Sequence, residues 1–238
     1  GTFTRDVPRE GSQLDAARRK AQLAIELSGL PFGLGSEGSF GSDPMLGVAA
    51  WSTELVVLID AERGLELVGF ADGPATMRQA SVSSVDEALD FAAAGRAGFP
   101  DHWLVVRPDG SDDPRITKGI ASVEELAPAV AAALRASTTG TAFVETDGRA
   151  HANPTRMALI GLAAEDLGAK LASACPACGS PGWWSVEPVR GAPCLDCGMP
   201  THVVRAEVYG CPSCEHRETR ERLGPVVADP QYCDWCNP

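Results

Sequence analysis

The sequence has no long apolar run, no cysteine before Cys175 and little positive charge. No apolar run approaches the roughly 18 residues that a membrane-spanning helix needs, and the opening segment GTFTRDVPRE lacks the apolar stretch of a signal peptide. The 20 Lys and Arg residues stand against 32 Asp and Glu residues. We therefore expect a soluble cytoplasmic protein that does not bind membranes.

The net charge of −12 limits the classes of partner. A surface of this sign repels phosphate backbones and anionic bilayers, so nucleic acid is disfavoured as a partner. A protein partner, or an anionic small molecule held by a local group of arginines, remains compatible with the charge.

Length and composition indicate a globular protein of one or two domains. The chain has 238 residues, of which 44% are apolar and 22% charged, and its 25 Gly and 18 Pro residues favour many turns. All eight cysteines lie between Cys175 and Cys236. This split predicts an α/β domain over residues 1–173 and a small cysteine-rich domain over residues 174–238.

Helix-start signals recur along the first 173 residues. Each has a Ser or Asn that can cap a helix, followed by an acid three residues later or by Pro at the first helical position. They are Ser12 with Asp15, Ser84 with Glu87, Ser122 with Glu125, and Asn153 with Pro154. Strands are predicted at residues 54–60, 65–71, 103–107 and 141–145, the first two as an antiparallel hairpin. Helices interleaved with strands predict a mixed sheet covered by helices.

The cysteine-rich segment contains four Cys-x-x-Cys pairs: Cys175/Cys178, Cys194/Cys197, Cys211/Cys214 and Cys233/Cys236. The first two pairs are separated by 15 residues and the last two by 18, which are spacings typical of zinc sites with four cysteine ligands. We predict that neighbouring pairs combine into two zinc ribbons, over residues 174–200 and 205–238, each with one structural Zn²⁺. Four thiolates leave no position open for water, so neither ion should be catalytic.

Disulfides and thiol redox chemistry are the alternatives to zinc. Disulfides need an oxidising compartment, and a redox motif of the thioredoxin type is a single pair beside a βαβ pattern. The segment also has too few apolar residues for a core of its own, so metal binding should supply much of its folding free energy. Each Cys-x-x-Cys turn is called a zinc knuckle below, and Trp183 and Trp235 are expected to pack against these knuckles.

A glycine-rich segment, GLGSEGSFG over residues 33–41, is the first of two candidate ligand sites. Glycines let backbone amides approach a ligand, and Glu37 is suited to hold Mg²⁺ or to activate a water molecule as a catalytic residue. Ser36 and Ser39 are predicted to bind substrate. The alternative is a strand that ends in a flexible glycine turn, with Glu37 in solvent.

The second candidate site, residues 145–156, spans the end of a predicted strand and the start of a predicted helix, where α/β folds often bind anions. The predicted roles are anion binding by Arg149 and Arg156, Mg²⁺ binding by Asp147, and catalytic proton transfer by Glu145 or His151. The alternative is that these side chains form surface ion pairs. For Asn153 only a helix cap is expected.

The segments GSFG, FVETDGRAHANPTRM and CDWCNP resemble an uncharacterised bacterial family, a domain of unknown function with an α/β domain and a C-terminal pair of zinc ribbons, over essentially the whole chain. This resemblance implies no activity, and it implies a further strand upstream of Gly1. A fainter similarity links residues 13–38 to the inosine/xanthosine triphosphatases, in which an Ala/Arg-rich helix also leads to a strand and a Gly-Glu-Gly turn. That similarity implies Mg²⁺-dependent hydrolysis of a nucleotide, and only Glu37 can be carried across by position.

Two functions are consistent with these features. The first is a Mg²⁺-dependent hydrolase of a nucleotide or another phosphorylated small molecule that also holds two structural Zn²⁺ ions. The second is a non-enzymatic adaptor whose zinc ribbons dock onto a protein or nucleic-acid complex, for which the acidic charge favours protein.

Overall fold

The computed structural model describes residues 11–224 and 226–237 of the chain. The expectation that the opening segment contains no signal peptide therefore lies outside the described residues. In the described ranges, no helix is both long enough and apolar enough to cross a bilayer.

The helix starts expected from the sequence are confirmed. The hydroxyl groups of Ser12, Ser84 and Ser122 accept hydrogen bonds from backbone amides three residues later, as helix caps do. Asn153 caps the fourth helix through its side-chain oxygen, which accepts from the amide of Arg156 at 3.0 Å. The local signals for helix initiation are therefore used as the sequence indicates.

The first sheet is antiparallel and lies between two helices. It contains β1 (Phe32–Ser42), β2 (Ala50–Asp60) and β3 (Leu65–Pro74), in that order. Helix α1 (Gln13–Ser28) packs on one face and helix α4 (Pro154–Ala172) on the other. The α4 side forms a small apolar core from Val56, Leu65, Leu67, Ala163 and Leu167, which are all buried.

Two glycines of the GLGSEGSFG segment let α1 approach this sheet closely. A Cβ atom at Gly33 would collide with the carbonyl oxygen of Ala21, and one at Gly35 with that of Ala17. Ala17 and Ala21 are themselves fully buried and lie one helical turn apart. The segment is thus an extended strand that packs against the small residues of α1. Its glycines allow the backbone of α1 to approach, whereas the sequence interpretation expected a ligand at this position.

The second sheet has four antiparallel strands, β4 (Gln79–Val82), β5 (Leu104–Pro108), β6 (Thr117–Ile120) and β7 (Ala142–Thr146), in the order β4-β7-β5-β6. Helices α2 (Val85–Ala93) and α3 (Val123–Ala136) cover one face. The larger apolar core lies there, with residues such as Leu104, Val106, Leu126, Val130 and Val144 almost completely buried. A short 3-10 turn, Ala150–Ala152, connects this sheet to α4.

The cysteine-rich segment folds around a third antiparallel sheet. It consists of β8 (Trp184–Arg190), β9 (Val204–Gly210) and β10 (Arg217–Glu221), with β9 in the centre. A second 3-10 turn, Pro230–Tyr232, precedes the last cysteine pair.

The expected combination of helices and sheets with a cysteine-rich C-terminal part is confirmed, and the sheets are antiparallel. Where the sequence suggested one mixed sheet, the strands before the cysteines belong to two sheets with separate cores. The tight connection between β2 and β3, residues 61–64, can only reverse the chain, which makes these strands antiparallel neighbours. The division into domains at residue 173 stays a prediction.

Candidate functional site

The eight cysteines converge into two groups of four. Cluster 1 contains Cys175, Cys178, Cys211 and Cys214, and cluster 2 contains Cys194, Cys197, Cys233 and Cys236. Within each cluster all four sulfur atoms lie within 4.8 Å of one another. Elsewhere in residues 11–224 and 226–237, no three His, Cys, Asp or Glu side chains converge in this way.

The sulfur separations fit a tetrahedral metal ion. In cluster 1 the Cys175–Cys214 and Cys178–Cys211 sulfur distances are 3.9 and 3.6 Å, and the Cys194–Cys236 and Cys197–Cys233 distances in cluster 2 are 3.8 and 3.6 Å. Four sulfurs at about 2.3 Å from a tetrahedral Zn²⁺ lie about 3.8 Å apart. A disulfide requires an S–S distance of about 2.05 Å, so these are free thiols.

Each cluster joins cysteine pairs that are not neighbours in the sequence. The first pair meets the third and the second meets the fourth. The prediction that neighbouring pairs combine, giving ribbons over residues 174–200 and 205–238, was therefore wrong about the pairing. The reason lies in the third sheet: each of its strands leads from a pair of one cluster to a pair of the other, so that successive pairs lie at opposite ends of the sheet.

Tight turns aim the two sulfurs of each pair at one point. The amide of Gly179 donates to the carbonyl of Cys175 at 2.9 Å, and the amide of Gly198 donates to that of Cys194 at 2.9 Å. Both glycines have positive φ, 75° and 73°, a conformation that glycine adopts at no steric cost. The amide of Asn237 makes the equivalent bond to Cys233 at 2.8 Å.

The thiols differ in pKa because their neighbours differ. Hydrogen bonds from Ser180 lower the pKa of Cys178 to about 6, and a hydrogen bond from the Cys197 amide lowers that of Cys194 to about 7. Although the His216 amide acts in the opposite direction, burial and the nearby thiols raise the pKa of Cys214 to about 12. Four adjacent thiols cannot all ionise alone, and a divalent cation stabilises the fully ionised set.

Cluster 1 is packed against the rest of the protein. The amide of Gly182 donates to the carbonyls of Lys170 and Ser173 at 3.0 and 2.9 Å. Trp183 is 3% exposed and stacks on His216, with ring centroids 5.0 Å apart. The expectation that Trp183 packs beside a knuckle is consistent with this contact.

Cluster 2 carries exposed apolar side chains. Leu195 and Trp235 lie inside its two knuckles and are 65% and 74% exposed. Met199 and Val227, next to these turns, are 37% and 49% exposed. Trp235 was expected to pack like Trp183, and that expectation does not hold.

The glycine-rich candidate site is occupied by contacts to α1. Glu37 is buried and its Oε2 lies 2.7 Å from the Nζ of Lys20. The Ser39 hydroxyl donates to the Oε1 of Gln13 at 2.9 Å, and Ser36 is exposed, with its carbonyl accepting from Lys20. These contacts stabilise the packing of α1 on β1.

The second candidate site is a set of ion pairs around the start of α4. Arg149 donates from Nε and Nη2 to the fully buried carboxylate of Asp147, at 3.0 and 2.6 Å. The Oε1 of Glu145 lies 3.5 Å from the Nε of Arg107, a buried residue of β5. His151 is exposed, and its ring meets that of Trp103 edge-on, with centroids 5.7 Å apart.

Arg156 makes the longest-range contact of this set. Its Nε donates to the Oε1 of Glu54 in β2 at 2.8 Å, and its Nη1 donates to the carbonyl of Gly148 at 2.6 Å. Glu54 is fully buried and lies opposite Gly38 in the β1–β2 register, so it projects from the α4 face. Glu37, one residue before Gly38, projects from the α1 face. The sheet therefore separates Glu37 from Arg156 and its partner Glu54, which are called the Arg156 group below.

Lys20 and Glu54 are the charged partners that the sequence interpretation missed. Glu54 alternates with Val56 and Leu58 along β2, which places an acid on an apolar face. A charge at such a position requires a buried cation, and this was the available signal. Lys20 has no comparable signal, because it lies among exposed charged residues of α1.

Comparison with known proteins identifies a family and no characterised relative. A family model described as a domain of unknown function (DUF6671) matches residues 20–238. No curated protein and no solved structure matches the chain. The similarity to inosine/xanthosine triphosphatases therefore stays a prediction.

Proposed function

Since the chain belongs to the family described as a domain of unknown function (DUF6671), we propose that it is a zinc-dependent adaptor. Clusters 1 and 2 each hold one structural Zn²⁺, and the end of the molecule that carries cluster 2 docks onto a protein partner. The eight sulfurs in two groups with tetrahedral separations carry the zinc part of this proposal. Four thiolates per ion leave no coordination position for a substrate. The ions therefore have a structural role, which is to hold the knuckles and the residues that they expose in a fixed arrangement.

The exposed apolar residues of cluster 2 support docking. Leu195 and Trp235 belong to knuckles that share one cluster, so they lie at the same end of the third sheet. Exposed aromatic and aliphatic side chains held on a rigid turn cost little conformational entropy on binding, and they are frequent anchors of protein interfaces. The net charge of −12 favours a protein over nucleic acid.

The Mg²⁺-dependent hydrolase receives less support from the described residues. Its proposed acids, Glu37 and Asp147, lie within ion pairs with Lys20 and Arg149. Glu37 and the Arg156 group lie on opposite faces of the first sheet. A shared substrate would have to contact both faces, which a single small molecule cannot do without rearrangement of the sheet.

The test combines metal analysis with partner capture by the tagged full-length protein. We expect two Zn²⁺ per chain, and a partner that is released by a chelator and lost in a Leu195→Ala/Trp235→Ala variant. Val186→Ala is the matched control, because Val186 is 54% exposed but lies in β8 against Gly210, which is next to Cys211 of cluster 1. Absence of bound zinc, or zinc-independent turnover of phosphate esters with Mg²⁺ that Glu37→Gln abolishes, would contradict the proposal.

A further inference from the structure

We infer that the two clusters bind Zn²⁺ cooperatively as one unit, so that loss of either ion weakens binding of the other. This inference rests on the zinc-binding role proposed above. It follows from the way that the third sheet connects the clusters.

Every strand of the third sheet has one end at each cluster. Strand β8 leads from Cys178 to Cys194, β9 leads back from Cys197 to Cys211, and β10 leads from Cys214 towards Cys233. The register agrees with this arrangement. Gly210, next to Cys211, pairs with Trp184 and with Arg217, which follow cluster 1 cysteines. A metal ion at one cluster therefore fixes one end of all three strands.

The third sheet has little stabilisation of its own. All five residues of β10 are exposed, and no residue of β8 is buried. In β9 the buried residues are Ala206 and Gly210, which contribute little apolar area. A three-stranded sheet with so small a core is marginal in water unless other interactions hold it. Its order therefore depends on the ions at its ends.

Because the cysteine pairs interleave, both ions require the same residues of the third sheet to become ordered. Closing cluster 1 joins Cys178 to Cys211, and the closed segment contains the whole Cys194/Cys197 pair. Ordering a residue costs backbone entropy, and most residues of the sheet are ordered once the first ion binds. The second ion then meets cysteine pairs that are already close. If neighbouring pairs combined, each site would close its own loop and this coupling would be absent.

The two clusters differ in the support that they receive from the rest of the chain. Cluster 1 has a second support, because Gly182 is bonded to Lys170 and Ser173 at the end of α4. In the part of the chain that the structure describes, cluster 2 has no equivalent hydrogen bond to an α-helix. Outside the knuckles it contacts Ala228, whose carbonyl accepts from the Leu195 amide at 2.9 Å. Cluster 1 should therefore keep more of its order than cluster 2 when it holds no ion, while the coupling is reciprocal: loss of either ion weakens binding of the other by the same factor.

The first test uses the wild-type full-length chain and needs no substitution. Zinc is added to half of the total site concentration, and native mass spectrometry counts chains with zero, one and two ions. Independent equal sites leave about half of the chains with one ion, and unequal independent sites leave more. We expect the one-ion species to be well below half, with empty and doubly loaded chains dominant. A one-ion population of half or more overturns the coupling.

The second test removes one exposed ligand from each cluster, as Cys178→Ser and Cys197→Ser. Competition with a chelator measures Zn²⁺ affinity at the intact cluster. We expect this affinity to fall about 10-fold or more, and by a similar factor, in both variants, because the coupling is reciprocal. Ser213→Ala is the control, because Ser213 is an exposed non-ligand within a cluster 1 knuckle.

The outcomes distinguish the two proposals. Two Zn²⁺ in the wild type, with one tightly bound ion in each variant, overturns the coupling and leaves the zinc-binding role intact. No Zn²⁺ in the wild type overturns both. Loss of affinity at the intact cluster, together with depletion of the one-ion species in the wild type, supports the coupling.

Discussion

Clusters 1 and 2 have the same ligands and nearly the same sulfur geometry, yet their surroundings differ. Cluster 1 lies beside the buried Trp183 and is hydrogen-bonded to the end of α4 through Gly182. Cluster 2 lies at the far end of the third sheet and presents Leu195 and Trp235 to solvent. Two sites with the same four ligands thus differ in their surroundings: cluster 1 is attached to a helix, and cluster 2 is exposed to solvent.

This difference indicates a division of roles between the clusters. A knuckle packed on a helix fixes the orientation of the third sheet relative to the rest of the molecule. A knuckle that exposes a tryptophan and a leucine offers surface for another protein. Because the spacing within each Cys-x-x-Cys pair is the same in both clusters, the residues between and beside the cysteines set the role. Substitutions at matched positions in the two clusters therefore test this division of roles.

The largest contrast is expected between the two tryptophans. Trp183→Ala removes a 3% exposed ring that stacks on His216, and such a truncation costs about 3–5 kcal/mol of stability. Trp235→Ala removes a 74% exposed ring and should change stability by less than about 0.5 kcal/mol. Chemical denaturation of the zinc-loaded variants measures both. Equal losses would show that cluster 2 is packed as tightly as cluster 1.

A smaller contrast is expected between two glycines with positive φ. Alanine at either position has backbone strain of about 1–2 kcal/mol. A Cβ at Gly182 would also lie 2.5 Å from the Cδ2 of Leu67 and 2.8 Å from the Cγ of Pro212, whereas at Gly198 it meets nothing within 4 Å. Overpacking of this kind adds about 1–3 kcal/mol. Gly182→Ala should therefore lower stability more than Gly198→Ala by that amount, as measured by thermal unfolding with zinc present.

The sequence was sufficient to predict which cysteines are metal ligands, but it was insufficient to predict which Cys-x-x-Cys pairs share a cluster. A Cys-x-x-Cys turn is local, so all eight cysteines could be recognised from spacing alone. Segments of 15 and 18 residues can close a zinc site between neighbouring pairs, but the interleaved arrangement also satisfies the chain length. The choice is made by the register of β8, β9 and β10, which is a long-range property.

The glycines of β1 show a second kind of ambiguity. Gly33 and Gly35 do allow a close approach, as the sequence indicated, but the approaching group is the backbone of α1. A glycine pattern cannot distinguish a ligand from a helix. The small residues Ala17 and Ala21, one turn apart on α1, were the available signal for helix packing. In the same way, the arginines of residues 145–156 could be identified from the sequence, while the fold was needed to show that Arg149 pairs with Asp147 and Arg156 with Glu54.

The smallest contrast concerns one hydroxyl group beside the cysteines. Ser180 follows the Cys178 turn and lowers the pKa of that thiol to about 6, whereas Met199 holds the equivalent position after Cys197 and has no donor side chain. Ser180→Ala should raise the pKa of Cys178, so that protons compete better with Zn²⁺ for this sulfur as the pH falls. Loss of a hydrogen bond to a ligand typically weakens metal binding about 10-fold.

Chelator competition at pH 6 and pH 8 measures this effect. Above the raised pKa the thiolate forms in the variant as well, so the difference from wild type should be larger at pH 6 than at pH 8. Met199→Ala is the matched control at cluster 2 and should leave the pH dependence unchanged, since Met199 donates no hydrogen bond from its side chain. An identical pH dependence in Ser180→Ala and wild type would mean that the Ser180 hydroxyl does not set the charge of Cys178. The two clusters would then differ only in packing.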